Sequence, residues 1–481
     1  MAEEKKKTTL WNFFDNLEGD KVVWMIVLLL MMISIVAIFS STSQLAISQN
    51  TSRMAIVTDQ IKITILGLAV IILCYSIRSI GFFRVFSQLA YAISMFFLLI
   101  LASHKSVGPF HPIFVNSAWR IIQLGGHGPQ IHVFEIVKVA MVMYLAWAVN
   151  AFRNDKFAIA NLLANKFPVW KKPIVKKIAY IYFPIFTVCL CIMVGSLSST
   201  IFIGGIMFVT ILIGGISIRE LILPGLVAVG ILAGCIGINA ASSKPSDQKP
   251  FPHLESALKR ITSDKTENIF DTLKTAPRGS DEFQQALDKV MQPVSAKIAI
   301  QEGGLLGKGP GRSTQRYVVL IMFEDYMFSF IVEEYGLLGG IFVIILYISL
   351  LARGSIIARN CDNHFAKTAV AGLVILITGQ AMMHIMVNCD LGPLTGQTLP
   401  LVSHGTSSFL MFSLAFGIIL SISKMARRKI AREAAKAGPI MERQPEDEIS
   451  SRMEELDMME TEVPIHDNDI PDYDIDDHNN E

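Results

Sequence analysis

Charge is what this chain of 481 residues has least of: 17% of it is Asp, Glu, Lys or Arg, against 52% hydrophobic residues. Soluble domains carry about 25% charged residues, so a soluble enzyme of this length is excluded. The chain is also too apolar to be disordered throughout. Cysteine is sparse: Cys74, Cys189, Cys191, Cys235, Cys361 and Cys389 are scattered, mostly inside apolar runs, which excludes a secreted disulfide scaffold. Cys189-x-Cys191 has no second ligand pair nearby and reads as packing rather than as a metal site. No cleavable signal peptide is evident, because the first apolar run, 22–40, is long enough to span and lacks a small-residue cleavage site close behind it.

The net charge of +1 hides two opposite parts. Residues 440–481 hold 16 Asp/Glu against 2 Arg, whereas 1–439 hold 40 Lys/Arg against 25 Asp/Glu. A basic apolar body therefore continues into an acidic tail of the composition that stays disordered.

A bilayer core about 30 Å thick takes about 20 helical residues. Ten apolar runs meet that length, at 22–40, 61–78, 84–103, 132–150, 178–194, 197–216, 219–238, 326–351, 368–388 and 407–424. The expected fold is an all-α polytopic membrane protein of about ten transmembrane helices. Lysines and arginines gather at 5–7, 153–177, 353–359 and 424–436, which ten spans place on one side. The positive-inside rule makes that side cytoplasmic, with both termini there. The order is then a cytoplasmic segment 1–21, seven spans over 22–238, a large extracytoplasmic loop 239–325, three spans over 326–424, and a cytoplasmic tail 425–481. Lys424–Lys436 should contact anionic lipid headgroups. Residues 104–131 read as a second, glycine-rich outer loop. In the large loop, Leu254–Leu273 and Phe283–Met291 suit amphipathic helices on the membrane surface. Glycines at 303, 304, 307, 309 and 311 imply irregular backbone, tolerable there only where protein or a wet cavity supplies hydrogen bonds.

Each ionisable residue inside a span costs about 2.5–3.5 kcal/mol on insertion scales, so each needs a reason. Glu135 and Lys138 are three apart on one helical face, with His132 one turn earlier. They suit either an internal ion pair that pins helices or the wall of a polar cavity. Glu324 and Asp325 stand at the outer mouth of the eighth span, with Glu333 and Glu334 deeper. Asp325 could be a general base, hold a divalent cation, or be a helix-start acid. His384 and Asn388 share a face of the ninth span. The Gly/Pro/Thr/Ser-rich stretch 389–408 is either a re-entrant loop or a plain connection. Gly307-Lys308 is no phosphate-binding loop, because Glu302 and Gly309 break the Walker pattern. ATP binding is unsupported, although Lys308 could face a lipid phosphate.

At these residues the chain resembles a known family. Lys297-Ile-Ala-Ile, the run from Gly303 through Lys308 to Arg316, Asp325 with Glu333-Glu334-Tyr-Gly, and Leu399-Pro-Leu-Val-Ser-His-Gly-Thr-Ser-Ser408 resemble the SEDS family, which includes RodA and FtsW. Asn116-Ser-Ala-Trp-Arg120 followed by Glu135-Ile-Val-Lys138 looks like another family region. The likeness covers roughly residues 20–430 and leans to the FtsW division branch and to forms from Bacteroidetes, with a RodA-like elongation paralogue as the close alternative. It departs from the family pattern at Val133-Phe134, around Val194–Thr200, at Glu324 and at Thr406.

The resemblance implies a peptidoglycan glycosyltransferase of the bacterial inner membrane that polymerises lipid II with inversion. Asp325 would be the catalytic base, with a divalent cation such as Mg²⁺ or Mn²⁺ at that residue an open option and no nucleotide or organic cofactor. Arg120, Lys138 and Lys308 would bind diphosphates, Glu135 would orient Lys138, and Ser403, Thr406, Ser407 and Ser408 would line the cavity. The implied partners are lipid II, the undecaprenyl diphosphate-linked glycan, a class B penicillin-binding protein, other division proteins and membrane lipids, and no nucleic acid. A lipid II flippase and a non-catalytic division scaffold are the alternatives.

Overall fold

The computed structural model of the chain describes residues 18–48, 50–115, 118–126, 128–241, 274–278, 280–318, 322–392 and 396–437. Two units result, Met1–Arg428 and Lys429–Glu481, and the described part of the second is the end of one helix. Residues 254–273 and the acidic tail, on which two of the expectations fall, lie outside the described residues.

Apolar sequence in a bilayer has no water to satisfy its peptide groups and pairs them internally as helix. The first helices are α1 (Lys21–Ser41), the short α2 (Ser43–Ser48), α3 (Arg53–Ser76) and α4 (Ile80–Ser103). After a small sheet come α5 (Val133–Arg153), α6 (Ala158–Lys166), α7 (Pro173–Gly195), α8 (Leu197–Ile213) and α9 (Ile218–Ala241). The last are α10 (Asp281–Gly303), α11 (Met327–Arg359), α12 (His364–Asn388) and α13 (Thr406–Ala437). Among the described residues nine of these are long and apolar enough to cross a membrane, and α8 is a shorter apolar helix of 17 residues. Each run expected to span is thus helical, in a multi-pass membrane protein. The second begins farther out than its apolar core, at Arg53, where Asp59 and Lys62 pair at 2.9 Å in the open.

Helix α5 is the centre, packed on α4, α8 and α12, with Val137, Met141, Val142, Leu145 and Ala148 buried. At the other extreme α9 leaves Leu223, Leu226 and Val229 exposed, the apolar surface a membrane helix turns to lipid.

Residues 104–131, expected as a glycine-rich loop, carry regular structure. They hold a three-stranded antiparallel sheet, β1 (Phe110–Val115), β2 (Ala118–Leu124) and β3 (Gln130–His132), in that order. Isoleucines and aromatics supply the strand preference that glycine counting overlooked. Ile113 pairs with Ile121, and Ile122 with Ile131. The sheet places Arg120 on its central strand, and β3 runs straight into α5.

Helix α11 looks continuous in sequence but breaks at Gly336, where φ is 71° and ψ −177°. The break is occupied by the glycine-rich loop that follows α10. A Cβ on Gly336 would lie 2.2 Å from the Leu305 carbonyl oxygen, and one on Gly307 2.3 Å from that of Glu334. Only backbone without side chains approaches so closely.

Candidate active site

Asp325 lies just ahead of α11, whose N-cap position is held by Tyr326, so Asp325 is not the helix cap. The short run that carries it is fixed through its backbone. His404 N–H donates to the Phe323 carbonyl at 3.0 Å, and the Ser403 hydroxyl donates to that of Glu324 at 2.8 Å. Asn388 Nδ2 donates to the Asp325 carbonyl at 3.0 Å. The Asp325 side chain comes up to Gly396: a Cβ there would be 3.8 Å from Asp325 Oδ2 and 4.0 Å from Arg120 Nη1. A strand residue and a helix-start residue thus meet over a glycine that has no side chain to part them.

Low-polarity surroundings push the Asp325 carboxyl up to about 6, and the Arg120 guanidinium keeps it from rising further. Burial also lifts its neighbour Glu324, with the Asp325 charge adding to the effect, to about 7. Among the described residues no group of three or more His, Cys, Asp or Glu side chains converges. At this place the chain sets the Asp325 carboxyl, with Glu324 beside it, near an arginine.

A second network stands behind the first. Lys138 Nζ donates to Glu135 Oε1 at 2.6 Å, Gln380 Oε1 at 2.5 Å and Gln397 Oε1 at 3.0 Å. All three ammonium hydrogens are used, and Lys138 is 3% exposed. Lys138, expected at a diphosphate, here ties α5 to α12 and to the loop before α13. Glu135 does hold Lys138, as an ion pair in the first turn of α5. Gln380 Nε2 continues to the Thr398 carbonyl at 3.0 Å, and Thr398 Oγ1 pairs with Ser408 Oγ at 2.6 Å. Ser407 accepts the His132 N–H at 3.1 Å and joins α13 to the end of β3. Thr406, the first residue of α13, is exposed.

The loop before α13 turns inward rather than across the surface, burying Leu399, Leu401 and Val402. Ser403 is part of its frame, taking the Leu399 N–H at 3.0 Å. Two anchors hold the loop to the first helices. Ser34 donates to the Val402 carbonyl at 2.8 Å, and His404 Nδ1 meets Gln60 Oε1 at 2.9 Å.

Lys308 belongs elsewhere. It bonds Glu302, Thr314 at 2.7 Å and Glu333 Oε1 at 2.9 Å. Burial alone would lower its pKa, but the bonds to Glu302 and Glu333 outweigh that and hold it raised. Its bond to Glu333 ties the glycine-rich loop to α11 about two turns beyond Asp325, while the other two go to α10 and to the loop itself. Lys308, also expected at a diphosphate, lies on this loop, and Arg120 is the cation whose charge acts on Asp325.

Comparison with known proteins places this geometry. A family model for FtsW, RodA and SpoVE, described as cell cycle protein, matches residues 20–428. The chain belongs to this family. It is 26% identical over 419 residues to stage V sporulation protein E of Bacillus subtilis (strain 168), covering 85% of this chain and 98% of that relative. Over 131 residues it is 37% identical to the probable peptidoglycan glycosyltransferase FtsW of Caulobacter vibrioides, covering 27% of this chain and 34% of that protein. Over a stretch of the same length it is 34% identical to the peptidoglycan glycosyltransferase MrdB of Escherichia coli (strain K12), covering 27% and 35%. These last two matches span about a third of each relative. In fold the chain is similar to a chain of a peptidoglycan synthase complex that coordinates polymerization and crosslinking (TM-score 0.56, 18% identity, 85% of this chain and 98% of that one). It is also similar to the rod shape determining protein RodA of Thermus thermophilus (TM-score 0.50, 20% identity, 85% and 98%).

In this FtsW/RodA/SpoVE chain the structure gathers Arg120, Glu135, Lys138, Asp325, Ser403, Ser407 and Ser408 on connected elements and sets Lys308 apart. Sequence reasoning passed over Gln380, Gln397 and Gln60, and gave His384 and Asn388 no role. The signal for three of them was present: Gln380, His384 and Asn388 recur every four residues, a polar stripe along an otherwise apolar span.

Proposed function

We propose that the chain is a peptidoglycan glycosyltransferase, with Asp325 as its base. The observation that carries this reading is the Asp325 carboxylate brought together with the Arg120 guanidinium at Gly396. The names of the Caulobacter and E. coli relatives support the reaction class.

Asp325 accepts the proton of the N-acetylglucosamine C4 hydroxyl of lipid II as that oxygen attacks the anomeric carbon of the growing chain's terminal N-acetylmuramic acid. The new C–O bond forms as the bond to undecaprenyl diphosphate breaks. One displacement inverts α to β, and the diphosphate departs as an anion without needing a proton. Arg120 supplies positive charge next to the reacting groups, where charge develops. A divalent cation, if bound, would be held by Asp325 together with substrate oxygens, as magnesium commonly is, and would neutralise diphosphate charge.

The chain works in the cytoplasmic membrane with both termini inside, beside a class B penicillin-binding protein, and serves division. The test is polymerisation of purified lipid II by the reconstituted protein with its transpeptidase, comparing wild type with Asp325→Ala. Loss of polymer in the variant is expected, and full activity would sink the assignment. Lipid II crossing protein-containing liposomes without any polymer would favour a flippase instead.

A further inference from the structure

Helix α11 starts without a cap of its own, since Tyr326 at the N-cap position makes no side-chain capping bond. The first N–H groups of any helix need partners. Here they come from a different helix. His384 Nε2 accepts the Phe328 N–H at 3.3 Å. Asn388 Oδ1 accepts the Ser329 N–H at 2.9 Å and the Ser329 hydroxyl at 2.8 Å. His384 and Asn388 lie one turn apart on α12, and each is 1% exposed.

The same two side chains also hold what surrounds the base. Asn388 Nδ2 donates to the Asp325 carbonyl at 3.0 Å. His384 Nδ1 donates to the Gln397 carbonyl at 2.7 Å, one residue from the Gly396 that Asp325 approaches. Because Nε2 faces an amide hydrogen, the imidazole proton sits on Nδ1 and the ring is neutral. With Ser403 on the Glu324 carbonyl and His404 on that of Phe323, the backbone from Phe323 to Ser329 is pinned at five places. Asp325 lies in the middle of them.

We propose that His384 and Asn388 are positioning residues, capping α11 from α12 and thereby holding the Asp325 carboxylate in register with Gly396 and Arg120. The proposal rests on the reading of Asp325 as the base. Neither side chain reaches substrate; both act through the segment that bears the base. A shift of 1 Å in a reacting group costs up to about a hundredfold in rate. Five directed hydrogen bonds on seven residues leave little room for such a shift.

The experiment is steady-state polymerisation of lipid II by the full chain with its transpeptidase in liposomes. Wild type and Asp325→Ala serve as controls beside His384→Leu, His384→Gln and Asn388→Leu. Leucine is close to histidine in volume and larger than asparagine, and it removes the hydrogen bonds of both. Both leucine variants should lose about tenfold to a hundredfold in kcat, with KM for lipid II changed by less than about twofold. Glutamine can accept from Phe328 and donate to Gln397, so His384→Gln should recover much of what His384→Leu loses. A space-filling role predicts the reverse order.

Wild-type kcat in both leucine variants, or a loss appearing only in KM, overturns the proposal while leaving the base reading intact. A wild type that makes no polymer overturns the base reading and this proposal with it. Should Asn388→Leu not purify as a folded protein, Asn388→Asp takes its place. It keeps the acceptor for Ser329 and loses the donor to the Asp325 carbonyl, with the same expected and overturning results.

Discussion

Leu337 donates its backbone N–H to the carbonyl of Gly304 at 2.9 Å. In an unbroken helix that N–H would reach Glu333, four residues back. The Glu333 carbonyl instead takes the Lys308 N–H at 2.9 Å. The exchange repeats one residue on, with Leu338 donating to Leu305 at 3.3 Å and Gly309 to Glu334 at 2.9 Å. The glycine-rich loop supplies the partners that the break in α11 leaves wanting, so the membrane helix and this loop share one set of backbone bonds.

Gly336→Ala should therefore be severe. Its Cβ would sit 2.2 Å from one carbonyl oxygen at a φ of +71°. We expect a loss of roughly 3 kcal/mol or more, seen as a lowered unfolding temperature in detergent. Gly311→Ala is the control, at φ +76° with nothing within 4 Å, and should cost only about 1 kcal/mol of backbone strain. Equal losses at the two positions would show that the close approach does not carry the effect.

The helices were legible because a bilayer leaves apolar sequence only one local answer, and α5, α12 and α13 follow directly from their runs. The sheet was not, since the glycines around its turns masked the isoleucines of β2. Arg120, Glu135, Lys138 and Asp325 stood out because charge is so scarce in this chain. What stayed hidden was where their hydrogen bonds go. That Lys138 spends its donors on Gln380 and Gln397 depends on helix crossings no local pattern encodes. The place of Lys308 depends on one glycine dihedral in another helix.

The buried pair of Lys138 and Glu135 should behave as a unit. Lys138→Met strands the Glu135 carboxylate, whose side chain is 14% exposed, and leaves two glutamine oxygens without their donor. The cost should be about 3–5 kcal/mol. The double variant Glu135→Leu with Lys138→Met removes both charges and should be more stable than Lys138→Met alone. Unfolding temperatures of the single and double variants check this, and simple additivity would refute the coupling.

Turnover should fall as the pH drops through about 6, where the Asp325 base takes up its proton. The sign for Arg120 follows from its charge. Arg120 favours the ionised carboxylate, so Arg120→Met should move the acid limb of kcat/KM to higher pH. Burial and Arg120 set the acidity of Asp325, so Glu324→Gln should leave that limb where it is. A pH profile from about 5 to 8 reads all three. A limb that moves with Glu324 and not with Arg120 would assign the base to the wrong carboxylate.

Gly396 separates stability from chemistry. A Cβ there meets Asp325 Oδ2 at 3.8 Å and Arg120 Nη1 at 4.0 Å, ordinary contacts, at a φ of +61°. Gly396→Ala should then cost about 1–2 kcal/mol of left-handed strain and fold. Valine adds two methyls close to both carboxylate and guanidinium, where an acceptor hydroxyl would approach its base. Gly396→Val should purify as a folded protein yet lose about a hundredfold or more in polymerisation, far more than Gly396→Ala. That is the opposite of Gly336→Ala, whose damage is to the fold. If Gly396→Val polymerises lipid II at the wild-type rate, the hydroxyl does not approach past Gly396, and the base assignment loses its geometric support.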